Sequence, residues 1–143
     1  MDNITNRGMG YLALHCAAYA RSRDIFNLLG VEPVMHNQVQ PLWVYDANRE
    51  HPITRGIGRF MIDLDEQFAA VITDTKATTL FKTTAIHDKR DAVGGWCIER
   101  GRGRVVGLLP GHTPSPYEVP QYREIVRRSA FWALKRDISP YKG

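Results

Sequence analysis

The sequence predicts an α/β domain, and three patterns of apolar residues carry this prediction. Residues 11–14 form a short apolar run, entered through a glycine, of the length of a buried strand. Two apolar runs between residues 95 and 109 flank a glycine-bearing turn, which is typical of an antiparallel hairpin. From residue 120 to residue 134 apolar side chains recur every three or four positions, which indicates a helix that packs on the sheet.

Shorter segments complete the predicted order of elements. β-branched and aromatic residues indicate strands, and a serine before an apolar stretch with a glycine after it indicates a helix. On these grounds we expect a helix over residues 22–29 that ends at Gly30, and strands over residues 39–46, 60–66, 69–73 and 79–84. Trp43, Trp96 and Trp132 are expected in the core rather than on a sugar-binding surface.

Composition narrows the classes of protein and partner. A chain of 143 residues that is 43% hydrophobic has the size of one soluble domain. The net charge of +4 is dispersed along the chain, so we expect no nucleic-acid partner. Apolar runs are too short for a membrane span and the first residues lack signal-peptide features, so we expect a cytoplasmic protein with no membrane partner. Cys16 and Cys97 lack the spacing of a disulfide framework or a cysteine zinc cluster.

Two chemically capable side chains, His15 and Cys16, follow directly after the apolar run of residues 11–14. In open parallel sheets, ligands bind beyond the carboxyl ends of the strands, so this position favours a role in chemistry. The alternative is that both residues simply complete a core strand.

Several short phrases along the chain together resemble the ThuA-like (trehalose utilisation) family. In order, they are Gly8 to Cys16, Leu29-Gly30 followed by His36, His51 to Ile57, Asp65-Glu66, Gly101 to Val106, Pro110 to His112, and Phe131 to Ala133. The resemblance implies a flavodoxin-like three-layer α/β sandwich similar to class I glutamine amidotransferases. It also implies one ThuA-like domain over residues 1–143 that corresponds to the C-terminal two-thirds of the usual domain and is truncated at its N-terminus.

The resemblance has two further consequences. Where the family commonly has a tyrosine shortly after Asp-Glu, this chain has Phe68, which removes a hydroxyl from the expected site. A sheet that lacks its first strands would expose unpaired backbone groups and apolar side chains, so we expect a homo-oligomer.

If the family fold holds, His15, Glu66 and His112 converge as the candidate catalytic residues above the sheet. The preferred interpretation is acid–base chemistry on a small carbohydrate, trehalose or a related disaccharide or keto-sugar, with His36 as a substrate contact. The same three side chains are also candidate ligands of a divalent metal such as zinc. By alternation along the strand, Asp65 points to the face opposite Glu66, so only one of the two is expected to reach the site.

Two other functions stay open at this point, so whether the chain is an enzyme, for example a sugar-processing isomerase, lyase or hydrolase, is left undecided. Cys16 is a possible nucleophile or elbow residue, with His112 as its base and Glu66 as the orienting group, as in a cysteine-dependent amidotransferase or hydrolase. Alternatively, the chain is a non-catalytic remnant or interaction module that keeps the fold without a complete site.

Overall fold

A computed structural model describes residues 1–19, 22–46 and 48–138 of the chain. Its helices are α1 (Asp2–Thr5), a 3-10 helix (His15–Tyr19), α2 (Arg23–Leu29), α3 (Ser115–Glu118) and α4 (Pro120–Ala133). Its strands are β1 (Gly10–Leu14), β2 (Val31–His36), β3 (Gln40–Asp46), β4 (Phe60–Asp65), β5 (Phe68–Ile72), β6 (Thr78–Ala85), β7 (Arg90–Arg100) and β8 (Gly103–Leu108).

Six of these strands form one sheet in the order β1-β8-β7-β6-β3-β4, and β2 pairs with β5 in a second, antiparallel sheet. Within the described residues, only β1 and β8 run parallel in the large sheet. The hairpin prediction is confirmed, since β7 and β8 pair across a short turn. Short turns can join only antiparallel neighbours, which explains why most of the sheet is not parallel. Strand β1 lies at one end of the described sheet, next to β8.

The large sheet is covered on both faces, which gives three layers. Helix α4 packs on one face, where Tyr122, Ile125 and Trp132 join the core formed with the strands. On the opposite face α2 and the small sheet cover Trp96, whose indole N–H donates to the carbonyl of Leu29 at 2.9 Å. The amphipathic pattern of residues 120–134 therefore predicted both the helix and the face that it buries.

The expectation for the tryptophans is correct at two positions and wrong at the third. Trp96 and Trp132 are buried, whereas Trp43 on β3 is 41% exposed. The second layer packs on β1, β7 and β8, and Trp43 lies outside the cluster of side chains that this layer buries. The guanidinium of Arg59 lies 5.9 Å from the Trp43 ring centroid, at cation–π distance.

Local signals located helix α2 but missed strand β2. The helix ends as predicted at Gly30, whose φ of 72° is left-handed, although Ser22 makes no side-chain capping hydrogen bond. Strand β2 contains Pro33, which argues against an interior strand. It is tolerated here because both strands of a two-stranded sheet are edges. Among the described residues, none of the helices has the length and apolar character needed to cross a bilayer.

Candidate functional site

Three side chains from distant parts of the chain meet beyond the ends of three strands. His15 follows β1, Glu66 follows β4, and His112 follows β8 by a few residues. One ligand atom of each lies within 4.8 Å of those of the other two. The structure thus brings together the three residues that the sequence singled out, and we call them the His-Glu-His cluster.

A hydrogen bond on the side of the ring away from Glu66 fixes the orientation of His15. Its Nδ1–H donates to the carbonyl of Leu109 at 2.8 Å, which leaves Nε2 as the ring nitrogen that faces the site. Its backbone φ of 45° is left-handed, which turns the chain from β1 into the 3-10 helix. The side chain is buried, and Nε2 has no hydrogen-bond partner among the described residues. This nitrogen lies 3.6 Å from Oε2 of Glu66.

Glu66 lies at the centre of the cluster, with an imidazole against each of its carboxylate oxygens. Nδ1 of His36, at the end of β2, lies 2.7 Å from Oε1, and Nδ1 of His112 lies 3.2 Å from Oε2. His36 therefore reaches the site through Glu66, and its Nε2 edge faces away from the carboxylate. Since His36 occupies Oε1, it is Oε2 that is shared by His15 and His112.

Asp65 is a site residue that the sequence pattern did not identify. Its carboxylate is fully buried and accepts three consecutive backbone N–H groups, from Gly111 at 2.8 Å, His112 at 2.9 Å and Thr113 at 3.0 Å. Burial raises the pKa of Asp65, and the N–H bonds from Thr113 and Gly111 oppose that shift. Glu66 is thus the carboxylate in the cluster, and Asp65 supports the site indirectly, because it fixes the loop that carries His112.

Two aromatic residues shape the surroundings of the cluster. The ring of Phe68 lies edge-on to that of His15, with centroids 4.5 Å apart, and its centroid lies 5.5 Å from that of His36. Gly111 has a φ of 144°, and a Cβ at this position would lie 2.7 Å from the hydroxyl of Tyr117. Phe68 thus gives the cluster an apolar wall, and glycine at position 111 lets the loop pass close to a side chain.

Neither cysteine belongs to the cluster. Cys16 is exposed in the 3-10 helix and lies outside the His-Glu-His cluster. Cys97 lies 3.4 Å from Nε2 of His51, but burial raises the pKa of this thiol to about 12. Burial, and to a smaller extent Arg104, lowers the pKa of His51. The His51–Cys97 pair, which the sequence did not suggest, is therefore a neutral packing contact rather than a nucleophile and its base.

The His-Glu-His cluster has the donor set of a three-ligand zinc site. Two imidazole nitrogens and one carboxylate oxygen suit a divalent ion that keeps one position open for water or substrate. Zinc bonds of about 2.0–2.2 Å in a tetrahedron separate the ligand atoms by about 3.3 Å. The 3.2 Å and 3.6 Å distances around Oε2 of Glu66 are already near that value. A cation would also satisfy the buried Nε2 of His15, which has no hydrogen-bond partner among the described residues.

Comparison with solved structures shows the same fold in ThuA-like proteins. A ThuA-like protein from Bacteroides uniformis superposes with a TM-score of 0.76 at 17% identity, over 95% of this chain and 62% of that one. One from Parabacteroides merdae gives 0.76 at 12% identity, over 91% and 62%. A cytoplasmic protein from Salmonella typhimurium gives 0.63 at 14% identity, over 87% and 55%.

The fold is therefore the flavodoxin-like α/β class that the resemblance implied, and the chain spans 62% of the length of the first two of these structures. A search of curated protein sequences found no match. The sequence model of the family ThuA, described as trehalose utilisation, matches residues 1–133. The chain belongs to the ThuA family.

Proposed function

We propose that the chain acts on a small carbohydrate, trehalose or a related disaccharide or keto-sugar, at the His-Glu-His cluster, and that the cluster holds a divalent cation such as zinc. The observation that carries this proposal is the buried Nε2 of His15. This nitrogen lies 3.6 Å from Oε2 of Glu66, which is too far for a hydrogen bond, and a cation between the two atoms would satisfy both.

Neighbouring groups orient each residue of the cluster, which supports the proposal of an ion site. Leu109 fixes the ring of His15, and Asp65 fixes the loop of His112. His36 holds Oε1 of Glu66 and leaves Oε2 for the ion, which is how outer hydrogen bonds orient metal ligands. When bound, a divalent ion supplies Lewis-acid polarisation of a sugar oxygen.

His36 and His112 are the residues best placed to meet the sugar, because both are partly exposed while His15 is buried. Nδ1 of His36 is tied to Glu66, which favours the tautomer with the proton on Nδ1 and a lone pair on Nε2. His36, expected as a substrate contact, therefore also has the geometry of a proton acceptor for a hydroxyl or an acidic C–H next to a carbonyl. We expect the chemistry to be proton transfer on the sugar.

Metal content is the first test. We expect the purified protein, dialysed and loaded with zinc, to hold one ion per chain by elemental analysis, with binding followed by calorimetry. Glu66→Gln keeps the shape but removes the charge, and His112→Ala removes one ligand. Each should weaken zinc binding by at least about tenfold. Glu32→Gln, at an exposed glutamate on β2, is the matched control. Zinc affinity that is equal in all four proteins would contradict the cation site.

Turnover is the second test, with keto-disaccharides as substrates. His36→Ala should abolish proton transfer while one zinc ion still binds, with an affinity about 10–100-fold lower because Glu66 loses its outer hydrogen bond. Cys16→Ser should leave turnover unchanged because Cys16 is outside the cluster. Turnover that depends on Cys16 and not on His112 would instead support the cysteine-dependent hydrolase. A folded protein that neither binds a divalent ion nor turns over any of these sugars would support the interaction module.

A further inference from the structure

A second concave site lies beside the His-Glu-His cluster and includes His36, which contacts Glu66 of that cluster. The loop between β2 and β3 and the turn between β6 and β7 line an open cavity of about 380 Å³. Its polar lining consists of His36, Asn37, Gln38, Gln40, His87 and Asp88. A volume of this size falls within the range of about 300–1,000 Å³ of small-molecule sites. We call this cavity the amide pocket.

Internal hydrogen bonds hold the walls of the amide pocket in place. Gln40 is 4% exposed, its Oε1 accepts the backbone N–H of His87 at 2.8 Å, and its Nε2 donates to Oδ2 of Asp88 at 2.6 Å. On the other side, Nδ2 of Asn37 donates to Oε1 of Gln67 at 3.1 Å. The two loops are therefore tied to one another and to the core, which gives the pocket a defined shape before any ligand arrives.

The chemistry of the lining suits a neutral ligand with many hydroxyl groups. Carboxamides both donate and accept, as sugar hydroxyls do, and the lining has no lysine or arginine that would select an anion. In the described part of the chain, the side chain of Gln38, the ring of His87 and Oδ1 of Asp88 make no hydrogen bond. These groups remain available to a ligand, while Gln40 and Asn37 are committed to the walls.

The geometry points to the amide pocket as a subsite for a neutral glycosyl unit, next to the cluster at which a first sugar unit reacts. This inference rests on the proposed function, because it assigns the substrate of the cluster to disaccharides or glycosides rather than free monosaccharides. His36 lies on the boundary, since its Nδ1 contacts Glu66 and its ring also lines the pocket. A ligand of two linked rings would reach both sites at once.

Side-chain carboxamides give a direct test, because their NH2 groups are observable in ¹H–¹⁵N correlation spectra. Trehalose and glucose, each added to the zinc-loaded protein, serve as the two-ring and one-ring probes. Trehalose should shift the carboxamide signals of Gln38 and Gln40 in a saturable manner and leave that of Gln121, on helix α4, unchanged. Glucose should bind at least about tenfold more weakly, since it cannot occupy both sites.

Variants separate this inference from the proposed function. Gln38→Ala combined with His87→Ala removes two uncommitted hydrogen-bonding groups and should weaken trehalose binding about tenfold, with zinc binding unchanged. Gln121→Ala, at an exposed glutamine, is the matched control and should leave both unchanged. In Glu66→Gln, trehalose should still shift the carboxamide signals. The spectra therefore test the amide pocket even if the cluster holds no cation.

Three results would overturn the subsite. Trehalose that perturbs only signals of His15 or His112 would leave the proposed function standing without the amide pocket. The subsite would also be overturned if trehalose saturated the cluster without shifting the carboxamide NH2 signal of any residue of the pocket. Equal affinity of the double variant and the wild type would show that these side chains do not hold the sugar.

Discussion

Replacing Asp65 tests whether one buried carboxylate holds the loop that carries His112. In Asp65→Asn, Oδ1 keeps its bonds from the N–H groups of His112 and Thr113, but an NH2 group replaces the oxygen that accepts from Gly111. Two donors then face each other across the 2.8 Å contact. The loss of one hydrogen bond to a charged acceptor costs about 1.5–3 kcal/mol. Asp65→Ala loses all three bonds and leaves three backbone N–H groups without their acceptor, so it should cost more than Asp65→Asn.

Urea unfolding followed by tryptophan fluorescence measures these losses. With an m value of about 2 kcal/mol/M, a loss of about 2 kcal/mol in Asp65→Asn lowers the midpoint by about 1 M. Asp63→Asn, at the exposed aspartate two residues earlier, is the matched control and should leave the midpoint unchanged. Zinc affinity should fall about 10–100-fold in Asp65→Asn while one ion still binds, because His112 loses its support but not its imidazole. A variant as stable as the control, with wild-type zinc affinity, would refute this reasoning.

Three further predictions concern regions outside the cluster. The pKa of Glu124 is lowered to about 2 by the arginines three and four residues later, so its contribution to stability is present above about pH 4.5 and is lost as the pH falls toward 2. Glu124→Gln should cost about 1 kcal/mol at pH 7, after allowance for solvent screening, and nothing near pH 2. A thiol reagent should modify Cys16 in the native protein but Cys97 only after unfolding, because Cys97 is buried with its pKa raised to about 12; rapid labelling of both would contradict this. Gly107→Ala places a Cβ 2.3 Å from a tryptophan ring atom and should cost about 1–3 kcal/mol, whereas Gly58→Ala, with nothing within 4 Å, is the control.

The fold could be predicted from the sequence wherever local pattern and tertiary burial agree. Helix α4 has a continuous apolar stripe, and α2 ends at a glycine, so both were located correctly. The order of strands in the sheet was not predictable, because strand pairing depends on which turns are short and on contacts far apart in sequence. The apolar run of residues 11–14 identified a strand but carried no information on its neighbours, and β1 lies at one end of the described sheet.

For the site, the sequence predicted residue types and strand ends, but not contacts. His15, Glu66 and His112 were singled out because each follows a strand, and the structure brings all three within reach of one ion. The link between His36 and Glu66 was not visible, because it depends on β2, a strand that Pro33 obscured. The amide pocket could not be predicted from sequence patterns either, because its walls join residues nearly fifty positions apart.

The adjacency of Asp65 and Glu66 explains why the site depends on the register of β4. Successive side chains of an extended chain point to opposite sides, so neighbouring carboxylates can serve two different partners. Asp65 faces the core side and accepts the backbone of the 111–113 loop, while Glu66 faces the imidazoles of His15 and His36. A slip of one residue in β4 would turn Asp65 toward the side of the cluster and Glu66 toward the side of the loop, so neither carboxylate would keep its present partners. Both consequences would remove His112 from Glu66, so the loop and the cluster are assembled by the same dipeptide and should be lost together.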